Sequence, residues 1–190
     1  KFAKWYDISE APFELIVGRL RKNLLRNVSG EVLEVGAGTG KNISYYPSNC
    51  SLTLCDYTPL MLEIAKKKAR KLRKSIKFAI ADSENLPFKK NKFDCVIDSL
   101  GLCTYNNPIK VLRELKRVCK KGGKILLLEH GISNDSFIRK LQNWREKKHY
   151  EKIGCSLLRN PEELSKKAGL KLESSKRSFF GIFYSIAAKP

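Results

Sequence analysis

Three glycines within five residues, Gly36, Gly38 and Gly40, follow the strand-like run Glu31-Val32-Leu33-Glu34-Val35. Glycine tolerates positive φ and lets a ligand approach the backbone closely, so a strand that runs into such a turn can hold one. Asp56 closes the next strand-like run, 20 residues after Gly36. At that place a carboxylate can accept hydrogen bonds from both ribose hydroxyls of a nucleoside. Asp82 closes a third run, where it could meet an adenine amino group. The alternative is a tight strand-to-helix turn with no ligand; the carboxylates at matching strand ends argue against it. The dinucleotide fingerprint G-x-G-x-x-G/A asks for a small last residue, and here Lys41 stands there, which disfavours NAD and FAD. No G-x-x-x-x-G-K-[ST] occurs, which excludes a P-loop NTPase.

The elements that must carry these residues are legible from periodicity. Residues 12–27 form an amphipathic helix with apolar Phe13, Val17, Leu20 and Leu24. Strands are predicted over 31–35, 51–55, 77–81, 93–97 and 124–129. The glycine turn leads into a helix. Further helices start at Pro59 and at Asn107-Pro108, the second stopping at Gly122-Gly123. After strand five come a helix around Phe137–Trp144, a helix from Asn160-Pro161 to Gly169, and a hairpin of strands over 171–177 and 182–188. Strands alternating with helices imply an α/β fold. It is a Rossmann-like, doubly wound, seven-stranded, mostly parallel sheet with a C-terminal antiparallel hairpin. One domain spans 1–190, with 1–28 as an N-terminal helical lid or cap.

Composition agrees. The chain has 190 residues, 42% hydrophobic and 30% charged, enough to bury a core without disulfides or metal. No apolar run reaches the roughly 18 residues that cross a bilayer. The formal charge of +19 would attract RNA or an anionic membrane surface, or it simply solvates the surface. Its densest cluster, Lys66 to Lys77, is the wet face of the helix whose buried stripe is Leu62, Ala65, Ala69 and Leu72. Six cysteines form no C-x-x-C pair and no zinc-like tract, so no metal site is expected and the thiols suit a reducing, intracellular compartment, cytoplasmic or mitochondrial. The chain begins with Lys1, so a targeting or membrane-anchoring segment upstream is an open expectation.

Val32-Leu33-Glu34-Val35-Gly36-Ala37-Gly38-Thr39-Gly40 resembles motif I of the class I S-adenosylmethionine-dependent methyltransferases. The stretch Ala81–Phe88 with Phe93–Ile97 resembles their adenine loop and fourth strand, and Leu112–Gly123 their helix and turn before strand five. The stretch Leu126–Gly131 and the tail Gly181–Pro190 are similar to small membrane-anchored thiol methyltransferases and fungal mitochondrial methyltransferase-like proteins, and more distantly to quinone-biosynthesis C-methyltransferases. The resemblance implies the class I methyltransferase fold and S-adenosyl-L-methionine (SAM) as cofactor. It implies that Gly36, Ala37, Gly38 and Gly40 line the methionine half, while Glu34 steadies the loop or meets the ammonium. Asp56 would take the ribose, with Tyr57 beside the adenine, and Asp82 and Ser83 would read the adenine. Asp98, Ser99 and Leu100 would leave strand four nearest the reacting methyl. Asn42 and Tyr45, one turn apart, would contact the cofactor carboxylate or merely cap and pack. His130, at the end of strand five, would act as a catalytic or substrate-orienting group, or hold a loop; His149 reads as a solvated bystander. Trp5 and Tyr6 would fold over SAM or pack on the sheet edge.

The acceptor implied is small or lipophilic, of thiol, quinone or lipid type. Phe137, Trp144, Phe179, Phe180 and Phe183 would wall an apolar pocket or fill the core. The alternatives are an RNA methyltransferase or a catalytically inactive methyltransferase-fold assembly or RNA-binding factor. Against RNA, strand four ends Asp98-Ser99-Leu100-Gly101 rather than Asn/Asp-Pro-Pro-aromatic, and Cys103 follows Leu102 rather than Pro.

Overall fold

A computed structural model describes the backbone of residues 11–190 and the side chains of residues 17–190. The lid expectation for Trp5 and Tyr6, and the packing of Phe13, fall outside these residues. Helix α1 (Ala11–Leu25) leads into β1 (Gly30–Val35), followed by β2 (Cys50–Asp56), α2 (Pro59–Lys71), β3 (Lys77–Ile80) and β4 (Phe93–Ser99). Then come α3 (Pro108–Val118), β5 (Cys119–His130), α4 (Ser136–Ile153), α5 (Pro161–Lys167), β6 (Lys171–Ser178) and β7 (Phe183–Lys189).

The seven strands form one sheet in the order β3-β2-β1-β4-β5-β7-β6. Strands β1 to β5 are parallel, and β7 slots antiparallel between β5 and β6. Strand order reverses between β1 and β4, so their carboxyl ends open a crevice where open α/β sheets bind ligands. Alternation along the strands feeds two cores. On one face Leu33, Val35, Val96, Ile125 and Leu127 pack under Val111, Leu112, Leu115 and Val118 of α3. On the other, Val32, Leu52, Leu54 and Ile97 pack under Leu25 of α1 and Leu62, Ala65 and Ala69 of α2. Helices on both faces are the doubly wound arrangement the sequence predicts.

Three local expectations are corrected. The glycine turn leads not into an α-helix but into a single 3-10 turn, Ile43–Tyr45. Asn42 and Tyr46, on either side of it, spend their side chains on Glu34 instead of extending a helix. Helix α3 stops at Val118, before the glycine pair, because Cys119 turns extended and pairs with Phe93. Strand β5 therefore starts at Cys119, with a register shift before Lys124 takes up pairing with Cys95. Finally, of the five tail aromatics only Phe183 is in the core. Phe137, Trp144, Phe179 and Phe180 are exposed.

The segment between β3 and β4 has no helix of its own and is tied to α3. Arg117 donates to the carbonyls of Phe88 and Leu86 at 2.7 and 2.8 Å and pairs with Glu114 at 2.6 Å. Glu114 in turn accepts from the Leu86 amide at 2.8 Å. Arg117→Ala strips two loop carbonyls of a charged donor. It should lower stability to urea by about 1–3 kcal/mol and speed amide exchange over residues 82–92. Unchanged exchange there would show that the loop holds itself.

Candidate active site

The three glycines of the turn have φ of +61°, +54° and +71°, a region that disfavours side chains. Each meets a different need. A Cβ on Gly36 would stand 2.4 Å from the Tyr105 hydroxyl, and one on Gly40 would strike Ile43 and Ala65 at 2.5 and 3.0 Å. At Gly38 nothing lies within 4 Å, so its backbone borders open space. Its amide donates to Asp56 Oδ2 at 2.8 Å, and the amide of Ala37 donates to the Cys55 carbonyl, which lashes the turn to the end of β2.

Asp56 also accepts from the Thr58 amide through Oδ1 at 2.8 Å. Two carboxylate oxygens offer about four acceptor sites, so two remain for a ligand's hydroxyls. Tyr57 beside it is exposed. The Ala81 amide donates to the Asp56 carbonyl, bringing the third strand's end alongside. Asp82 is exposed and caps its own turn through the Glu84 amide, while Ser83 is buried and hydrogen-bonds Tyr105. Asp56, Asp82, Ser83 and the glycines thus border one continuous edge.

Behind the turn lies a buried polar chain. Glu34 accepts from Asn42 Nδ2 at 2.9 Å and from the Tyr46 hydroxyl at 2.8 Å. Arg21 of α1 donates to Asn42 Oδ1 at 2.7 Å and to Ser99 Oγ at 2.9 Å. Asn42 is therefore an internal strut with both ends of its amide engaged, and Glu34 steadies the loop. Tyr45 is half-buried against the α1/α2 core. Burial pushes the Glu34 carboxyl up to about 7, opposed by Tyr46, Arg21 and Asn42.

Two further carboxyls are buried at the neighbouring strand ends. Glu129 of β5 accepts from the amides of Gly101 and Leu102 at 3.4 and 3.1 Å, and burial raises its pKa well above the usual range. Asp98 of β4 accepts from the Tyr105 hydroxyl at 3.2 Å, and burial pushes it up to about 7. Its Oδ2 has no hydrogen-bond partner among the described residues, a costly state for a buried carboxyl unless a ligand supplies one. Asp98 lies beside the glycine turn, since a Cβ on Gly36 would be 3.6 Å from its Oδ1. Leu100 follows with φ +60°. A cationic ligand carrying a nucleoside fits these groups: an unpartnered carboxyl, open space at Gly38, and free acceptor capacity on Asp56 and Asp82.

His130, at the end of β5, points its Nε2 at the Cys155 sulfur, 3.1 Å away. His149, half-buried on α4, adds a smaller pull on the same thiol. Cys103, then the two imidazoles, pull the Cys155 thiol down to about 4 against the effect of burial. A separate cavity of about 630 Å³, between α1 and the strand starts near Asp94 and Lys120, lies at the opposite end of the sheet and is no part of this site.

Sequence reading missed Arg21, Tyr105, Glu129 and Cys155. Two carried a signal. Arg21 sits between Val17 and Leu25 on the buried stripe of α1, and Glu129 ends an otherwise apolar run. Tyr105 and Cys155 had none, because loops bring them in from a distance.

A family model described as "Methyltransferase domain" matches residues 33–127, half of the chain. Methyltransferase OMS1, mitochondrial, of Saccharomyces cerevisiae is 32% identical over 92% of this chain and 41% of its own length. The ubiquinone/menaquinone biosynthesis C-methyltransferase UbiE of a Geobacter species is 33% identical over 73% of this chain and 61% of its own length. The thiol S-methyltransferase TMT1B of Rattus norvegicus is 36% identical over 56% of this chain and 46% of its own length. The chain thus spans roughly two fifths to three fifths of the length of these relatives. The glycine turn, the acidic strand ends and the reversal of strand order all fall inside the matched segment, and the cofactor they imply is SAM; the chain belongs to the class I SAM-dependent methyltransferase family.

Proposed function

We propose that this chain binds SAM across the ends of β1, β2 and β4 and methylates a small lipophilic acceptor of thiol, quinone or lipid type. One observation carries the reading: the buried Asp98 carboxyl, with an unpartnered oxygen, stands beside the Gly36–Gly40 turn. When bound, SAM supplies a sulfonium-activated methyl group. Gly36, Ala37, Gly38 and Gly40 line its amino-acid half. Asp56 receives the ribose hydroxyls beside Tyr57, and Asp82 and Ser83 border the adenine. Asp98, held by Tyr105, offers negative charge to the cation, with Ser99 and Leu100 beside it. His130 orients the acceptor or takes its proton.

The acceptor class rests on exposed aromatic residues of the C-terminal part of the chain. Phe137, Leu141 and Trp144 lie on one exposed face of α4. Phe179 and Phe180 are also exposed, both at positive φ in the β6–β7 turn, a strained setting for aromatic residues. Ser133 ties the two groups by donating to the Phe180 carbonyl, and the Gly131 amide reaches the Ile182 carbonyl at 2.9 Å. Exposed Arg139, Lys140, Arg145, Lys147 and Lys148 share the helix. That combination suits an apolar acceptor met at an anionic membrane surface. No helix among the described residues is long and apolar enough to cross a membrane. The similarities to a C-methyltransferase of quinones and to a thiol S-methyltransferase support the same acceptor class. Six thiols outside any disulfide suit the cytoplasm or the mitochondrion, and the yeast relative's name gives the latter.

Three measurements test the reading. Calorimetry with Asp56→Ala should show SAM affinity weakened by about 1–3 kcal/mol, the worth of a charged hydrogen bond; an unchanged affinity sinks the ribose assignment. SAM's cation favours the ionised form of Asp98, so binding at pH 7 should release protons. Affinity should then rise with pH up to about 7 and level above it. Asp98→Asn should abolish that slope; a flat profile in the unaltered protein contradicts the role of Asp98. Radiolabelled SAM offered with thiols, quinones and vesicles of anionic lipid should label one of them. Label appearing only in RNA, with binding that falls steeply with salt, would replace the acceptor class.

A further inference from the structure

Three soft donors from distant parts of the chain converge beyond the end of β5. Cys103 comes from the loop after β4, His130 from β5 itself, and Cys155 from the residue after the left-handed Gly154 that caps α4. Their sulfur and ring-nitrogen atoms all lie within 4.8 Å of one another. No spacing in the sequence announces this set, because 27 and 25 residues separate its members.

The backbone around each donor is fixed. The Ser156 amide donates to the Cys103 carbonyl at 3.0 Å, joining the two cysteine segments directly. Glu129 holds the Leu102 amide, and Arg159 grips the Leu102 carbonyl. Glu146 of α4 takes the Ser156 hydroxyl at 2.6 Å and the Leu157 amide at 2.7 Å. Cys103 is buried, whereas His130 and Cys155 are half-buried, which leaves an approach from solvent.

Two thiols and an imidazole are soft or borderline ligands with no oxygen among them, so calcium and magnesium are excluded and zinc-like ions preferred. Three protein ligands leave one position open in a tetrahedral ion. We propose that Cys103, His130 and Cys155 bind a single thiophilic divalent cation of the zinc class, with the fourth position open to solvent or an incoming ligand. Binding forms two metal–sulfur bonds and one metal–nitrogen bond, and whatever protons the two sulfurs and the coordinating ring nitrogen still carry pass to solvent. The proposal does not rest on methyl transfer, and its test requires neither SAM nor an acceptor; with the cation bound, His130 is spent as a ligand and can orient an acceptor but not take its proton.

The experiment is a cobalt titration of the whole chain, reduced and stripped of metal with a chelator. One equivalent of Co²⁺ should produce a sulfur-to-cobalt charge-transfer band together with tetrahedral d–d absorption, and Zn²⁺ should bleach both. Cys103→Ser and Cys155→Ser should each weaken binding by more than the roughly 100-fold that changes outside the ligand shell cost. His130→Gln should weaken it and shift the d–d bands. Cys50→Ser, at the start of β2, should leave everything unchanged. Circular dichroism and the urea midpoint report whether each variant folds. Absence of the charge-transfer band in the reduced protein would overturn the proposal, as would a band that survives Cys155→Ser. Quantitative formation of a Cys103–Cys155 disulfide in protein that binds no cobalt would overturn it too.

Discussion

The architecture turns on a carboxyl that has been taken out of water. Glu34 sits at the end of β1, in the middle of the sheet, where desolvation opposes its charge. Its two oxygens recruit Asn42 and Tyr46, and Asn42 recruits Arg21. This chain of bonds does the work that a crossover helix would otherwise do between β1 and β2. It pulls the segment after the glycines inward and anchors α1 over the ends of β1 and β4. The removal of one member would leave the others buried with unmet hydrogen-bonding groups, which is why such networks are held or lost together.

Glu34, Asp98 and Glu129 end three neighbouring strands, β1, β4 and β5. Gathering carboxyls this closely in low dielectric is unfavourable, and each responds by holding its proton more tightly. Glu129 is satisfied by backbone amides and Glu34 by side chains. Asp98 alone keeps an oxygen in reserve. A site arranged this way gains most from a ligand that brings positive charge. It gains less from the same ligand once that charge has gone, a difference that favours release after reaction.

The strand pattern was legible because alternation and helical periodicity are local properties. Val32 to Val35, the Asn107-Pro108 cap and the Asn160-Pro161 cap each declare themselves within a few residues, and the structure bears them out. The glycine turn and its partner Asp56 were legible for the same reason, being fixed offsets from strand ends. What failed was the helix after the turn, since the local pattern could not show that Glu34 would claim Asn42 and Tyr46. The core alternative failed for Phe137 and Trp144 because hydrophobicity alone does not say which face of α4 meets the sheet. The face of α4 that turns inward carries Gln142, buried and accepting from the Ser133 amide.

The phenol of Tyr105 reaches into the space above two backbones at once, that of Gly36 and that of Gly101. Its hydroxyl occupies one oxygen of Asp98 and leaves the other to whatever enters the crevice. A methyl group at either glycine would meet that hydroxyl at 2.4 Å, so one phenol denies a side chain to both positions.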